Sequence, residues 1–242
     1  MNRSPRGSTC TGFGRIGKAG WGNSPFYVEG FVLKVGITGS IGSGKSEVCR
    51  ILRSLGYPAL DADEIARQLT EEDPAIRESL RERFGPEYFD PAGQLRRREL
   101  GQLVFRNQRA LRDLNAIVHP ALIQAIRARL EKLEREGQTV AFVEAAVLFE
   151  AGMEELFDVV AVVVSDLATA VQRTAQKLQI PEEEAWRRYR AQIPVEEKIR
   201  RAQYVIRNDG TLGELEGEVR EFLGWLSRKG TSRGAAPAAG AG

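Results

Sequence analysis

Five short runs rich in Val and Ile punctuate the chain: FVLKVGIT (31–38), YPAL (57–60), TVAFVEAAV (139–147), VVAVVV (159–164) and YVIRN (204–208). Apolar residues mostly follow one another in these runs and do not alternate, as in strands covered on both faces. Between the second and third runs lies a long stretch, about 64–136, where the spacing becomes helical. Leu111, Leu114, Ile117 and Val118 recur at helix spacing, then Leu122, Ile126, Leu130 and Leu133. Arg127, Arg129, Lys132 and Arg135 give the second group a solvated basic side. His119 precedes Pro120, and a residue before proline is pushed out of helical φ/ψ, so a break between two amphipathic helices is expected there. Strands with interposed helices predict an α/β fold with a five-stranded parallel sheet flanked by helices and carrying a helical insert. No internal repeat is visible.

Composition narrows the function more by exclusion than by indication. A net charge of +2 creates no strong field, so no nucleic-acid partner is implied. Cys10 and Cys49 are the only cysteines and His119 the only histidine, which excludes a disulfide framework and His- or Cys-rich metal sites. No apolar run is long enough to span a membrane. A cytoplasmic protein with no obligate protein partner is the expectation. Residues 1–30 are rich in Gly, Ser, Asn and Arg and read as a disordered extension. A transit peptide, or an upstream start codon with the protein beginning near Val28, are the alternatives. Residues 229–242 read as a flexible tail, leaving a folded unit of about 31–228.

The chemistry starts at GITGSIGSGKSE, residues 36–47. Gly39, Gly44, Lys45 and Ser46 fit G-x-x-x-x-G-K-[ST], between a strand and a helix whose Val48, Ile51, Leu52 and Leu55 share one face. Glycines let backbone N–H groups converge on a polyphosphate without Cβ clashes, and the helix N-terminus adds partial positive charge. Lys45 would reach the β- and γ-phosphates of ATP, and the Ser46 hydroxyl would bind Mg²⁺. Gly42, Ser43 and the N–H of Glu47 complete the cradle. A chance match is on the order of one in a hundred for a chain this long. Asp61 and Asp63 follow the second strand at its carboxyl end, the edge where open parallel sheets bind ligands. A carboxylate there could hold a substrate hydroxyl, or could cap the helix that follows; either aspartate suits either role.

Taken together, VGITGSIGSGKSEV, LGYPALDADEIARQL, LNAIVHPAL, AAVLFEAG, QRTAQKL and RYRAQIPVEEKIRRAQYVIRNDG resemble dephospho-CoA kinases, in that order, over about 33–225. The resemblance implies transfer of the ATP γ-phosphate to the ribose 3′-hydroxyl of dephospho-CoA. It implies a P-loop NTPase-like core (31–63 and 137–228), a CoA-binding helical insert (64–136) and a small lid (about 173–192). It implies Asp63 as the carboxylate on the 3′-hydroxyl and Lys45 on the transferring phosphate. It implies Asp61 in support or behind Mg²⁺, and Arg173 as the lid arginine. Arg97, His119 and Arg188 would contact the substrate. The plain structural alternatives are a surface arginine at 173, a histidine bonded to a helix terminus at 119 and a solvated arginine run around 97. Glu144 could assist Mg²⁺ through water or bond a helix. The chain departs from the family pattern at Glu47 (often Thr), Ala146 (usually Pro) and Lys177 (often Arg). Another nucleotide or small-molecule kinase, or a non-enzymatic nucleotide switch, are the competing functions; no Asn-Lys-x-Asp stretch marks a GTPase.

Overall fold

The computed structural model describes residues 32–233. The extension 1–30, with its transit-peptide and start-site alternatives, and Cys10 lie outside the described residues, as does the tail beyond Arg233. The core begins with β1 (Leu33–Gly39), α1 (Lys45–Ser54) and β2 (Ala59–Asp61). Four insert helices follow: α2 (Ala62–Glu72), α3 (Pro74–Phe84), α4 (Arg97–Arg106) and α5 (Gln108–Arg135). The chain returns through β3 (Val140–Glu144), β4 (Val159–Val164), α6 (Leu167–Leu178), α7 (Glu182–Arg190), α8 (Val195–Arg201), β5 (Tyr204–Arg207) and α9 (Leu212–Arg233). The last helix runs to Arg233, past the boundary at 228 that composition suggested.

The five strands form one parallel sheet in the order β2-β3-β1-β4-β5. Every residue of β3 and β4 is buried, which explains why those runs are apolar without alternation. One face packs on α1 and α9, with Val35, Ile37, Phe142, Ile206, Phe222 and Leu226 at its centre. The other packs on α2 and α5 through Ala141, Val143, Leu122, Ile126 and Leu130. The insert has its own core around Ile76, Leu80, Phe84, Leu100 and Val118.

The break expected at His119 is absent. Helix α5 runs unbroken from Gln108 to Arg135 with Pro120 inside it. Pro in a helix interior costs about 3 kcal/mol. Val118 on one side of it is buried in the insert core, and Leu122, Ile126 and Leu130 on the other are buried against the sheet. Burying side chains of this kind is worth about 1.5–3 kcal/mol each, so one continuous helix seated on both cores outweighs the local preference.

Sheet order reverses around β1, with β2 and β3 on one side and β4 and β5 on the other. In open parallel sheets ligands bind outside the carboxyl ends at that reversal. The register brings Ile37 beside Glu144, and Glu144 beside Asp61. The loop after β1 therefore opens next to two carboxylates. Among the described residues no helix is long and apolar enough to cross a membrane.

Candidate active site

The loop from β1 to α1 is held by its neighbours. Gly42 has φ 77°, and a Cβ there would lie 2.0 Å from the Ala170 carbonyl oxygen of α6. Gly44 has φ 92°, and its Cβ would lie 2.0 Å from Nδ2 of Asn208. Only glycine permits both the left-handed backbone and these approaches. Asn208 Nδ2 donates to the Ser43 carbonyl at 2.8 Å, and the Ile41 N–H donates to Gln192 Oε1 at 2.8 Å. No side chain caps the N-terminus of α1; the Glu47 N–H turns back to the Gly44 carbonyl at 3.0 Å, leaving the N–H groups of Lys45 and Ser46, two cleft-lining residues, as anion donors. The buried Ser43 hydroxyl lacks a hydrogen-bond partner among the described residues, a polar atom that an anion in the loop would satisfy.

Lys45 is buried, its Nζ donating to the carbonyls of Gly39 (3.1 Å) and Ser40 (3.0 Å). Burial lowers its pKa to about 8, Lys198 and Lys177 push the same way, and Glu144 and Asp63 oppose. An anion arriving in the cradle would favour the charged form again. Ser46 Oγ donates to Glu144 Oε1 at 2.7 Å. Burial raises the Glu144 pKa above the ordinary value, partly offset by the Ser46 bond.

Geometry separates the two aspartates. Asp61 caps α2: its Oδ1 accepts from the N–H groups of Asp63 (2.9 Å) and Glu64 (3.1 Å). Asp63 sits in the first turn, where its side chain is not consumed by capping. Burial raises its pKa, the charge of Asp61 adds to the rise, and Lys45 and Lys177 pull it back.

Three cavities surround these residues. A cleft of about 460 Å³ is lined by Gly42, Gly44, Lys45, Ser46 and Glu47, by Asp63 and Glu144, and by Arg173 and Lys177 of α6. Arg173 also donates to the Asn208 carbonyl at 3.2 Å, so it belongs to the cleft wall and is not a bare surface arginine. A second cavity of about 290 Å³ shares Asp63 and is lined by Arg97, His119, Asn115 and the apolar Leu95, Leu100, Leu114, Val118 and Leu122. His119 lies within α5, not at a terminus, and burial lowers its pKa. Arg97 donates to the Arg67 carbonyl (3.2 Å) and Thr70 Oγ1 (3.1 Å), and pairs with Glu71 at 3.3 Å. Arg188 does not line the phosphate cleft; it faces a third cavity between α4 and α7.

Among the described residues no three His, Cys, Asp or Glu converge into a metal cage. Mg²⁺ needs no such cage, since it keeps its waters and takes one or two protein oxygens plus substrate phosphates. Ser46 and Glu144 are hard oxygen donors placed for such a site. Asn208 and Lys198 were not recognised as site residues from the sequence. Asn208 meets the loop across 165 residues of chain, beyond any spacing rule.

Comparison with known proteins agrees with this arrangement. A sequence model of dephospho-CoA kinases matches residues 33–214. The dephospho-CoA kinase of Geobacter sulfurreducens is 40% identical over 194 residues, 80% of this chain and 98% of that protein. That of Bacillus cereus is 38% identical over 189 residues, 78% of this chain and 94% of the relative. A crystal structure from Thermus thermophilus superimposes with a TM-score of 0.70 at 38% identity, covering 81% of this chain and 98% of that one. The dephospho-CoA kinase of Campylobacter jejuni superimposes with a TM-score of 0.62 at 27% identity, over 81% and 98% of the two chains. With the family model spanning most of the chain and these relatives matched nearly end to end, the chain belongs to the dephospho-CoA kinases, ATP-dependent enzymes built on a P-loop core.

Proposed function

We propose that the cleft beside the glycine loop holds ATP, that dephospho-CoA places its ribose 3′-hydroxyl at Asp63, and that the γ-phosphate passes between them. One observation carries this reading: Asp63 forms a wall of both the phosphate cleft and the neighbouring cavity. A carboxylate at that junction can touch a hydroxyl from one side and face a transferring phosphate on the other. The apolar lining of the second cavity suits an adenine ring, with His119, Asn115 and Arg97 as its polar groups.

In this mechanism backbone N–H groups of residues 42–46 and the N-terminus of α1 hold the triphosphate. Lys45 leaves its two carbonyl partners for the β- and γ-phosphates. Arg173 and Lys177, which line the same cleft as Asp63, neutralise charge developing on the transferring group. Ser46, with Glu144 behind it, would hold Mg²⁺, which neutralises and orients the β- and γ-oxygens when bound. Asp63 accepts the 3′-hydroxyl proton as the new O–P bond forms and the bond to the bridging oxygen of ADP breaks. Its raised pKa keeps it a better proton acceptor than an ordinary surface carboxylate.

ADP release measured with purified protein, Mg-ATP and dephospho-CoA tests this. Asp63→Asn should lower kcat at least about a hundredfold, about 2.7 kcal/mol of barrier, with an unchanged circular-dichroism spectrum. Lys45→Ala should lose more. Near-normal turnover by Asp63→Asn refutes the role of the carboxylate. Turnover with AMP, dTMP or cytidylate but not with dephospho-CoA refutes the acceptor.

A further inference from the structure

The third cavity, about 960 Å³, is walled by Arg97, Arg98 and Arg106 of α4 and by Arg187 and Arg188 of α7. Glu184 is the one acidic residue in its lining, and both Arg187 (2.8 Å) and Arg188 (3.1 Å) already pair with it. Arg97 is partly satisfied by Glu71. Among the described residues Arg98 and Arg106 have no hydrogen-bond or ion-pair partner. Two helices from different parts of the fold thus face one another with like charge. A cation–π approach links them, Arg188 standing 5.0 Å from the ring centroid of Phe105, which is 48% exposed.

This cavity is not isolated. Arg97 and Gly101 line it and the second cavity alike, and Leu178 lines it and the phosphate cleft. Given the reading above, on which this step rests, the acceptor's 3′-hydroxyl is at Asp63 and its adenine is in the apolar cavity. Dephospho-CoA then still carries a 5′-diphosphate, which must leave the adenosine toward a neighbouring space. The phosphate cleft is taken by ATP. The arginine cavity is the other space sharing a wall, and guanidinium groups match phosphate oxygens in charge and fork geometry.

We propose that the arginine cavity binds the 5′-diphosphate of the acceptor between α4 and α7. The anion cancels the repulsion between the two helices, so the correct acceptor draws α7 over itself. An acceptor lacking the diphosphate leaves the helices apart. Selection among nucleoside acceptors then resides here, away from the transferring phosphate, and remote binding energy is used to assemble the site.

The test is the double variant Arg98→Gln/Arg187→Gln, at two exposed positions that leave the core intact. The charge-matched control is Arg127→Gln/Arg220→Gln, on α5 and α9 outside this cavity. Steady-state assays should show the KM for dephospho-CoA raised at least tenfold in the cavity variant, the KM for ATP within twofold, and neither KM changed in the control. The wild-type KM for dephospho-CoA should rise with added salt more steeply than the variant's. A dephospho-CoA KM within twofold of wild type in the cavity variant overturns this inference alone. So does an equal rise in both KM values. Failure of the wild-type enzyme to use dephospho-CoA at all overturns the acceptor assignment and this inference with it.

Discussion

The chain's return from α7 to the sheet carries a buried ion pair, Lys198 with Glu150, and removing half of it should be costly. The Lys198 side chain is 0% exposed and its Nζ lies 2.9 Å from Glu150 Oε1, which is on a side chain 23% exposed. The same Glu150 oxygen accepts from the Ile193 N–H at 3.3 Å. The residue before, Gln192, holds the Ile41 N–H of the phosphate loop. Lys198→Met leaves a half-buried carboxylate without its counter-ion. Breaking a buried pair this way costs about 3–5 kcal/mol, and partial exposure of Glu150 places this case near 3. Glu150→Gln strands a fully buried ammonium and should cost nearer 5. At about 2–4 °C per kcal/mol for a domain of this size, the first variant should lose about 6–12 °C in Tm. The double variant Lys198→Met/Glu150→Gln removes both charges and keeps an oxygen for Ile193, so it should be more stable than either single one. Urea unfolding of all four proteins gives the coupling directly, expected at about 2 kcal/mol or more. Single variants that each lose under about 1 kcal/mol, or losses that simply add, refute the argument.

Three further perturbations probe the site. Gly42→Ala should destabilise by about 2 kcal/mol or more and raise the KM for ATP, because its Cβ meets the Ala170 carbonyl at 2.0 Å and Thr174 Oγ1 at 2.6 Å. Gly56→Ala, at φ 89° with open space, should lose only about 1 kcal/mol, and equal losses at the two positions would contradict this. Affinity for an unreactive ATP analogue should weaken as pH rises through about 8, where Lys45 in the free protein loses the proton that phosphate selects; Lys45→Arg should abolish that step, and a flat profile in the parent enzyme refutes it. The same shift has an opposite sign for folding: between about 8 and 10.5 the unfolded chain binds more protons at Lys45, so its contribution to stability rises with pH. The acid limb of kcat/KM should lie above the ordinary carboxylate range, because burial and the Asp61 charge both raise Asp63. Asp61→Asn, which keeps the helix cap, should move that limb to lower pH, and an unmoved limb argues against Asp63 as proton acceptor.

What the sequence made legible was local. The glycine loop announces itself because its chemistry needs a fixed spacing on contiguous chain, from Gly39 to Ser46, between one strand and one helix. The strands of the sheet's centre were legible because burial on both faces leaves an unbroken apolar run, as in VVAVVV. Asn208, Gln192 and Lys198 lie in a stretch that carries the family resemblance, but their roles were not legible, because each acts on a partner 48 to 165 residues away, and no periodicity records which distant element a side chain meets. The Pro120 break failed for a related reason: a dipeptide rule carries about 3 kcal/mol, and two separate cores seated along α5 outweigh it.

The pair Asp61 and Asp63 shows where local reading stops and why. From residue types alone the two are interchangeable, since each can cap a helix and each can hold a hydroxyl. The sheet decides. Pairing of Asp61 with Glu144 makes it the last strand residue, and extended backbone directly before a helix is where a capping side chain must sit. Asp61 then accepts the N–H of Asp63 itself, fixing the first turn of α2 and leaving the Asp63 carboxylate uncommitted at the junction of two cavities. Capping and the proton acceptance proposed for Asp63 are therefore not competing uses of one aspartate but linked uses of two neighbours. The cap orients the turn, and its retained negative charge raises the pKa of the residue it orients.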